Sequence, residues 1–412
     1  MGFKFHGFFM KLNINYFYVM AGQGSNYVFP VLIYPILILK LGMESFGWIS
    51  LGVIISQFLI LIIEYGFGYF SAKDISCMAR EDEKLQYYMD VVFSKVIILT
   101  FLSIILLFLG FFFEGFARSI LVISLLGCVF SVLNPSWFFQ ANAEFKKLAI
   151  VSLSSRIVTA FLIFIMIDDG DLLKALFLFV MQYAFLSCFG LFFMNLSMVR
   201  WRSLSINKSI ILLKNGLPFF LSTLATSIYT LMTPIILGFS IHKGEIGIYN
   251  AVSVIKQGLS GVVAPLIQVV YSQMINLKVF LMSRDDYEII IRKKILIIFF
   301  IVFVPALLVI IFSKQVSQYI FGSYNAGFIY AIQVTAITPL FIVFNSSLST
   351  FVYLVLGKTN IMLRCTGVCS LICLIMAYPV SVMYGANGII TLLLSVEIFV
   401  GLLLLLFYLK FR

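Results

Sequence analysis

Charge is what this 412-residue sequence has least of: 11% of its residues are Asp, Glu, Lys or Arg, against 62% hydrophobic. Soluble domains carry roughly a quarter charged residues, so this scarcity excludes an ordinary soluble protein. Histidine occurs only at His6 and His242, each isolated, which leaves no nucleophile and base pair of the kind hydrolases need. The six cysteines (Cys77, Cys128, Cys188, Cys365, Cys369 and Cys373) fall in or beside apolar segments, so no disulfide framework is expected. A phosphate-binding loop is missing too, because Gly357-Lys358-Thr359 has its ending but Val352 stands where its first Gly must be. Asp168, Asp169 and Asp171 lack the spacing of a calcium loop and read as a solvated turn. No cofactor or bound metal is implied.

What the chain does have is apolar length. A hydrocarbon core of about 30 Å needs about 20 apolar residues per helix. Such segments fall near residues 14–39, 47–70, 90–111, 117–139, 149–168, 172–197, 209–238, 246–273, 294–313, 325–354, 363–384 and 386–409. The first is far longer than the core of a secretory signal and lacks a small-residue cleavage site, so it reads as a retained span. None of the outer connections could hold a catalytic domain.

The formal charge of +11 would suit nucleic acid only if the basic residues shared one soluble face. Instead they alternate by loop. The amino terminus and the even-numbered connections collect 20 of the 28 Lys and Arg. The opposite side holds Lys40, Arg118, Lys174, Lys243 and Lys314, while Lys95, Arg156 and Lys256 fall within spans. Because short loops rich in Lys and Arg stay cytoplasmic, both termini are expected in the cytoplasm and no nucleic-acid partner is expected.

The stretch Arg200 to Lys214 is the most polar interior segment. It suggests an amino-terminal lobe of six helices over 1–199, a cytoplasmic linker over 200–214 and a second six-helix lobe over 215–412. Six is even, so a repeat would be parallel, with a pseudo-two-fold axis along the membrane normal. Gly47, Ile55 and Gln57 match Gly247, Ile255 and Gln257, with Pro35 and Pro234 at similar offsets before them. The expected fold class is an all-α integral membrane protein of about 12 helices in two lobes, with a cavity between them.

Candidate functional residues follow from depth. Gln57, Lys256 and Gln257 lie nine or ten residues inside Gly47 and Gly247, about 15 Å at the helical rise, and so near the midplane. An ammonium there costs several kcal/mol unless it faces water, a partner or an anion, so Lys256 is the first candidate for an anion contact. The structural alternative pairs it with a carboxylate of a neighbouring helix. Gln23, Ser25 and Asn26 in the first helix, and Ser222, Thr223, Thr226 and Ser227 in the seventh, offer hydrogen-bond partners to sugars or simply to other helices. Arg156, Lys95 and Glu64 lie nearer the cytoplasmic end, where long basic chains snorkel. Arg156 is the best of these, since its fork suits two phosphate oxygens. Glu397, mid-way along the last helix, is a candidate ion-coupling site, with Glu64 a second. Cys365, Cys369 and Cys373 share one face of the eleventh helix. A soft metal is one reading of them, and a contact of small residues is the favoured one.

Three motifs then stand out. They are Glu44-Ser45-Phe46-Gly47; Glu64-Tyr65-Gly66-Phe67-Gly68 followed by Ser71-Ala72-Lys73; and Pro135-Ser136-Trp137-Phe138-Phe139-Gln140-Ala141 followed by Lys146-Lys147. They resemble the polysaccharide transporter family of bacterial flippases, the Wzx type, within the multidrug, oligosaccharidyl-lipid and polysaccharide exporter superfamily. Similar proteins often have Asp at Glu64 and Gly at Ala141. The resemblance implies a multi-pass protein of the bacterial inner membrane with no enzymatic activity. Such a protein moves an undecaprenyl-diphosphate-linked O-antigen repeat unit from the cytoplasmic to the periplasmic leaflet by alternating access. It also implies membrane lipid, and a polymerase and chain-length regulator of the same pathway, as partners. One alternative is a multidrug or small-solute antiporter of this fold, which should carry carboxylates at mid-depth. The other, an O-antigen polymerase, should carry a large periplasmic loop.

Overall fold

The computed structural model describes residues 14–76, 78–168, 170–194, 205–238, 244–264, 266–267, 270, 274, 284–323, 325–355 and 359–410. Its first element, α1 (Ile14–Glu64), is one helical stretch of 51 residues broken at Gly42, where φ is 79° and ψ 165°. Two spans are thus joined with almost no loop. After it come α2 (Phe67–Ser76), α3 (Glu81–Gly110), α4 (Gly115–Val132), α5 (Ser136–Ala141), α6 (Phe145–Met166) and α7 (Leu172–Phe192). Then follow α8 (Ile206–Ser227), a π-helical segment over Ile228–Met232, α9 (Thr233–Gly238) and α10 (Gly244–Gly261). The chain continues through α11 (Arg284–Ile311), α12 (Ser313–Phe321), α13 (Ala326–Leu348), a second π segment (Ser349–Leu354) and α14 (Thr359–Lys410).

Eight of these stretches are long and apolar enough to cross a membrane. Gly42 divides α1, and Gly385 divides the 52-residue α14. With α8 to α9 and α10, the described residues supply the twelve spans that hydropathy foretells, and no strand is present among them. Helices meet this demand because a backbone in hydrocarbon must satisfy its own hydrogen bonds. Helix α8 begins at Ile206, so Lys208 and Lys214 belong to a helix rather than to an open connection, while residues 195–204 lie outside the described residues. Pro234 explains the first π segment, since a proline ring clashes with the carbonyl four residues back and the widened turn before it takes up the misfit.

Contacts gather the chain into two compact units. The first comprises Met1–Phe29, Leu59–Met166 and Leu176–Leu221. Its core is aromatic: Tyr88 is wholly buried, stacks on Trp137 at 5.8 Å and donates its hydroxyl to the Leu133 carbonyl at 2.7 Å. Tyr65 and Gly66, both with positive φ, reverse the chain between α1 and α2. This sets Gly68 of α2 against Trp137 of α5. On the turn before α7, which groups with the second unit, Asp171 accepts from Lys174 at 3.0 Å and from the Asp168 amide at 3.4 Å. The Lys174 ammonium, through that hydrogen bond, holds the Asp171 carboxyl below its usual range.

The second unit comprises Pro30–Phe58, Ile167–Ala175 and Ser222–Arg412. Here the two glycines of the faint internal match meet: a methyl on Gly247 would lie 3.1 Å from the Met43 carbonyl oxygen and 3.2 Å from the Gly47 amide nitrogen. A side chain at Gly247 would push on this contact, so hydrogen there lets the backbones approach closely. Phe46 is fully buried beside them and packs on Tyr34 with ring centroids 5.0 Å apart. Cys365, Cys369 and Cys373 are all buried on one face of α14, with the Cys373 sulfur 3.7 Å from the Thr233 hydroxyl.

Gly385 is held at φ 57° and ψ −142°, close to a region that only glycine enters cheaply. The Glu245 carboxylate fills the space a Cβ would occupy and accepts the Ala386 amide at 2.6 Å. Gly385→Ala is therefore expected to cost about 1–3 kcal/mol and lower the melting temperature of the detergent-purified protein. An unchanged melting temperature would show that the turn relaxes freely.

Candidate functional site

Polar groups within the spans collect in one cluster in each unit. In the first, Arg156 of α6 directs its guanidinium back to the start of α1. It donates to the Ser25 hydroxyl at 2.8 Å, to the Ser152 carbonyl at 3.1 Å and to the Asn26 side-chain oxygen. Two of the expected site residues, Arg156 and Asn26, are thus brought together, and Ser25 joins them. Tyr183 of α7 lies within electrostatic reach of the same guanidinium. Such a fork can bind an anion only by exchanging some of these partners. Gln23 lies outside the residues whose side chains the structure describes.

Lys95 departs from expectation. Its side chain does not snorkel towards the interface but is 0% exposed, and its ammonium sits 2.8 Å from a Glu64 carboxylate oxygen. The reason is local: α3 presents Lys95 on the same face as the buried Val91, Val92 and Leu102, and the end of α1 supplies the compensating charge. The second oxygen of Glu64 is buried without a protein hydrogen-bond partner.

In the second unit, Lys256 lies on α10 with its ammonium 5.7 Å from the centroid of the Tyr249 ring, a cation–π distance. It forms no salt bridge among the described residues. Tyr249, Ser253, Lys256, Thr335 and Thr338 border a cavity of about 10 Å³, just large enough for one water. The Thr335 hydroxyl is buried without a protein partner. Glu397 of α14 lies within electrostatic reach of Lys256. Its carboxylate and its backbone carbonyl each accept from the Asn345 side-chain amide at 2.9 Å. Gln57 and Gln257 are both exposed and make no side-chain hydrogen bond among the described residues.

Depth alone did not point to Tyr249, Thr335, Thr338 and Asn345. Of these, Asn345 carried the clearest signal, a side-chain amide near the end of a membrane-length helix. Its neighbour Gly401 leaves room for it, since a Cβ there would fall 2.7 Å from the Asn345 oxygen.

A family model described as "Polysaccharide biosynthesis protein" matches residues 12–274. The chain belongs to this family. Relatives in the polysaccharide biosynthesis family include a protein of Escherichia coli (strain K12), 24% identical over 406 residues and covering 97% of each chain. Another, from Shigella dysenteriae, is 25% identical over 417 residues, covering 96% of this chain and 99% of its own. Both are named "Putative O-antigen transporter". Among solved structures, the lipid II flippase MurJ in an inward closed conformation superposes with a TM-score of 0.77 at 16% identity, covering 96% of this chain and 87% of that one. An inward-facing multidrug resistance transporter of the MATE family gives a TM-score of 0.70 at 15% identity, covering 96% and 97%. The fold of this family member is therefore the one these transporters share.

Proposed function

We propose that this membrane protein is a flippase for lipid-linked oligosaccharide rather than an enzyme, as the names of its full-length relatives and the fold it shares with a flippase support. Its cargo in this reading is an undecaprenyl-diphosphate-linked O-antigen repeat unit, carried from the cytoplasmic to the periplasmic leaflet of the bacterial inner membrane by alternating access. The lobes over 1–199 and 215–412, joined through 200–214, are the moving bodies, and both termini are cytoplasmic. Polymerase and chain-length regulator act on the delivered unit.

One observation carries the reading: Lys256, which its place in the sequence sets deep in its span, forms no salt bridge among the described residues. An ammonium at that depth with no carboxylate in direct contact suits a diphosphate and repels the cationic drugs that a multidrug exporter would carry. Arg156, Asn26 and Gln23 form a second polar contact for the cargo, and Gln57 and Gln257 supply amides to sugar hydroxyls. Glu397, with Glu64 as second choice, is the coupling carboxylate. An inside-negative potential adds about 2.3 kcal/mol per charge per 100 mV to outward movement of an anion that crosses the whole field.

Deleting the gene in its host and examining the surface polysaccharide tests this directly. Loss of surface O-antigen, with single lipid-linked units retained on the cytoplasmic side, is expected. Units delivered outside but left unpolymerised would instead identify a polymerase, and normal surface polysaccharide would end the proposal.

A further inference from the structure

Helices α3 and α4 meet near their connection in a groove of about 200 Å³, open to the surface and lined by Leu107 from α3, Phe111 just past its end, and Leu121, Val122 and Leu125 from α4. Leu107, Phe111 and Val122 are 60%, 79% and 50% exposed. In a spanning helix such exposure suits contact with hydrocarbon. One lining residue is charged. Arg118, in the first turn of α4, anchors its guanidinium by donating from Nε to the Gly110 carbonyl at 2.9 Å, which satisfies the end of α3. That bond leaves the two terminal nitrogens of the fork to other acceptors.

Arg118 is also on the side where cations are scarce, one of five Lys and Arg among 28 by loop assignment. Insertion energetics disfavour a cation there, which suggests a local reason for it. Phe111, Phe112 and Phe113 follow the end of α3, where the chain turns between two spans. The first turn of a span lies within about 5 Å of its end, at the same level.

We propose that this groove is a binding site for an anionic glycerophospholipid, one acyl chain lying between α3 and α4 and the headgroup phosphate paired with the Arg118 fork. The phosphate oxygens accept from the terminal guanidinium nitrogens, a charge-assisted pair of matched geometry. The site is separate from the clusters around Arg156 and Lys256, and its test measures lipid retention, so its failure would leave the transport reading untouched.

The test is native mass spectrometry of the full-length protein, released from detergent with dioleoyl phosphatidylglycerol or dioleoyl phosphatidylethanolamine. One phosphatidylglycerol should be retained more tightly than the rest. Arg118→Gln should weaken that retention about tenfold and Arg118→Lys less, while Leu121→Trp, which fills the groove without touching the charge, should weaken it comparably. Melting temperatures close to wild type would show that the variants fold, and Arg118→Lys provides the comparison if Arg118→Gln does not. Equal retention by wild type, Arg118→Gln and Leu121→Trp would overturn the proposal. So would equal retention of the two lipids, or a co-purifying polyprenyl phosphate that phosphatidylglycerol fails to displace.

Discussion

Lys256→Ala is expected to reduce export of lipid-linked oligosaccharide by roughly thirtyfold or more, the scale of losing about 2 kcal/mol or more from a desolvated charge contact. Lys256→Arg should be much milder, since it keeps a cation within reach of the same cargo, although its wider head fits the space beside Tyr249 less well. The measurement is surface polysaccharide per unit of membrane-inserted protein, with accumulated cytoplasmic-side units as the counterpart. A purely packing role predicts the opposite order. Ala would then be tolerated, because removing an ammonium that lacks a salt bridge relieves a desolvation cost, and Arg would be the harmful change. Equal export by Lys256→Ala and wild type at matched expression would remove this residue from the transport mechanism.

The second large effect is expected at the ion pair inside the first unit. Lys95→Met leaves the Glu64 carboxylate without the ammonium that pairs with it 2.8 Å away, when its other oxygen already lacks a hydrogen-bond partner among the described residues. Breaking a buried pair from one side typically costs 3–5 kcal/mol, and the 29% exposure of Glu64 places this case nearer about 2–3 kcal/mol. That loss should appear as a lower melting temperature in detergent and reduced yield of folded protein. Adding Glu64→Gln to Lys95→Met removes the stranded charge and should restore most of the stability. If the double variant is folded but still exports nothing, Glu64 has a role in coupling beyond its pairing with Lys95. If export returns with stability, the pair is structural. A double variant no more stable than Lys95→Met would contradict the pairing account.

How much of this was legible in the sequence varies with the range of the interaction. The spans were, because crossing hydrocarbon is a local demand on some twenty neighbouring residues, and even the divisions of α1 and α14 fall at glycines between two apolar runs. The three motifs that suggested a family prove to be architectural: Phe46 and Gly47 make a close helix contact, Tyr65 and Gly66 turn the chain, and Trp137 and Phe138 build a core. Lys256 was singled out as a candidate from depth alone. Partner identity was not recoverable, because it depends on which distant helices meet. Lys95 could be read as snorkelling until Glu64, 31 positions away, was found beside it, and nothing in the vicinity of Glu397 marks Asn345, 52 positions away, as its donor. Arg156 was singled out for a free fork, whereas Ser25 and Asn26, some 130 positions away, engage it.

The wide turn over Ile228–Met232 has a consequence for how the seventh span displays its side chains. One residue beyond the α-helical count advances everything after it by about 100° around the axis. Ser227 before the turn and the residues following it are thereby put out of phase, while the side chains of Ser222 and Thr226 lie outside those described. Thr230, within the turn, is exposed, while Thr233, just past it, is 0% exposed and faces Cys373. A helical wheel drawn with a single period from Ile206 to Gly238 would misplace Thr233, and with it any inference about which hydroxyls of this span can meet a sugar.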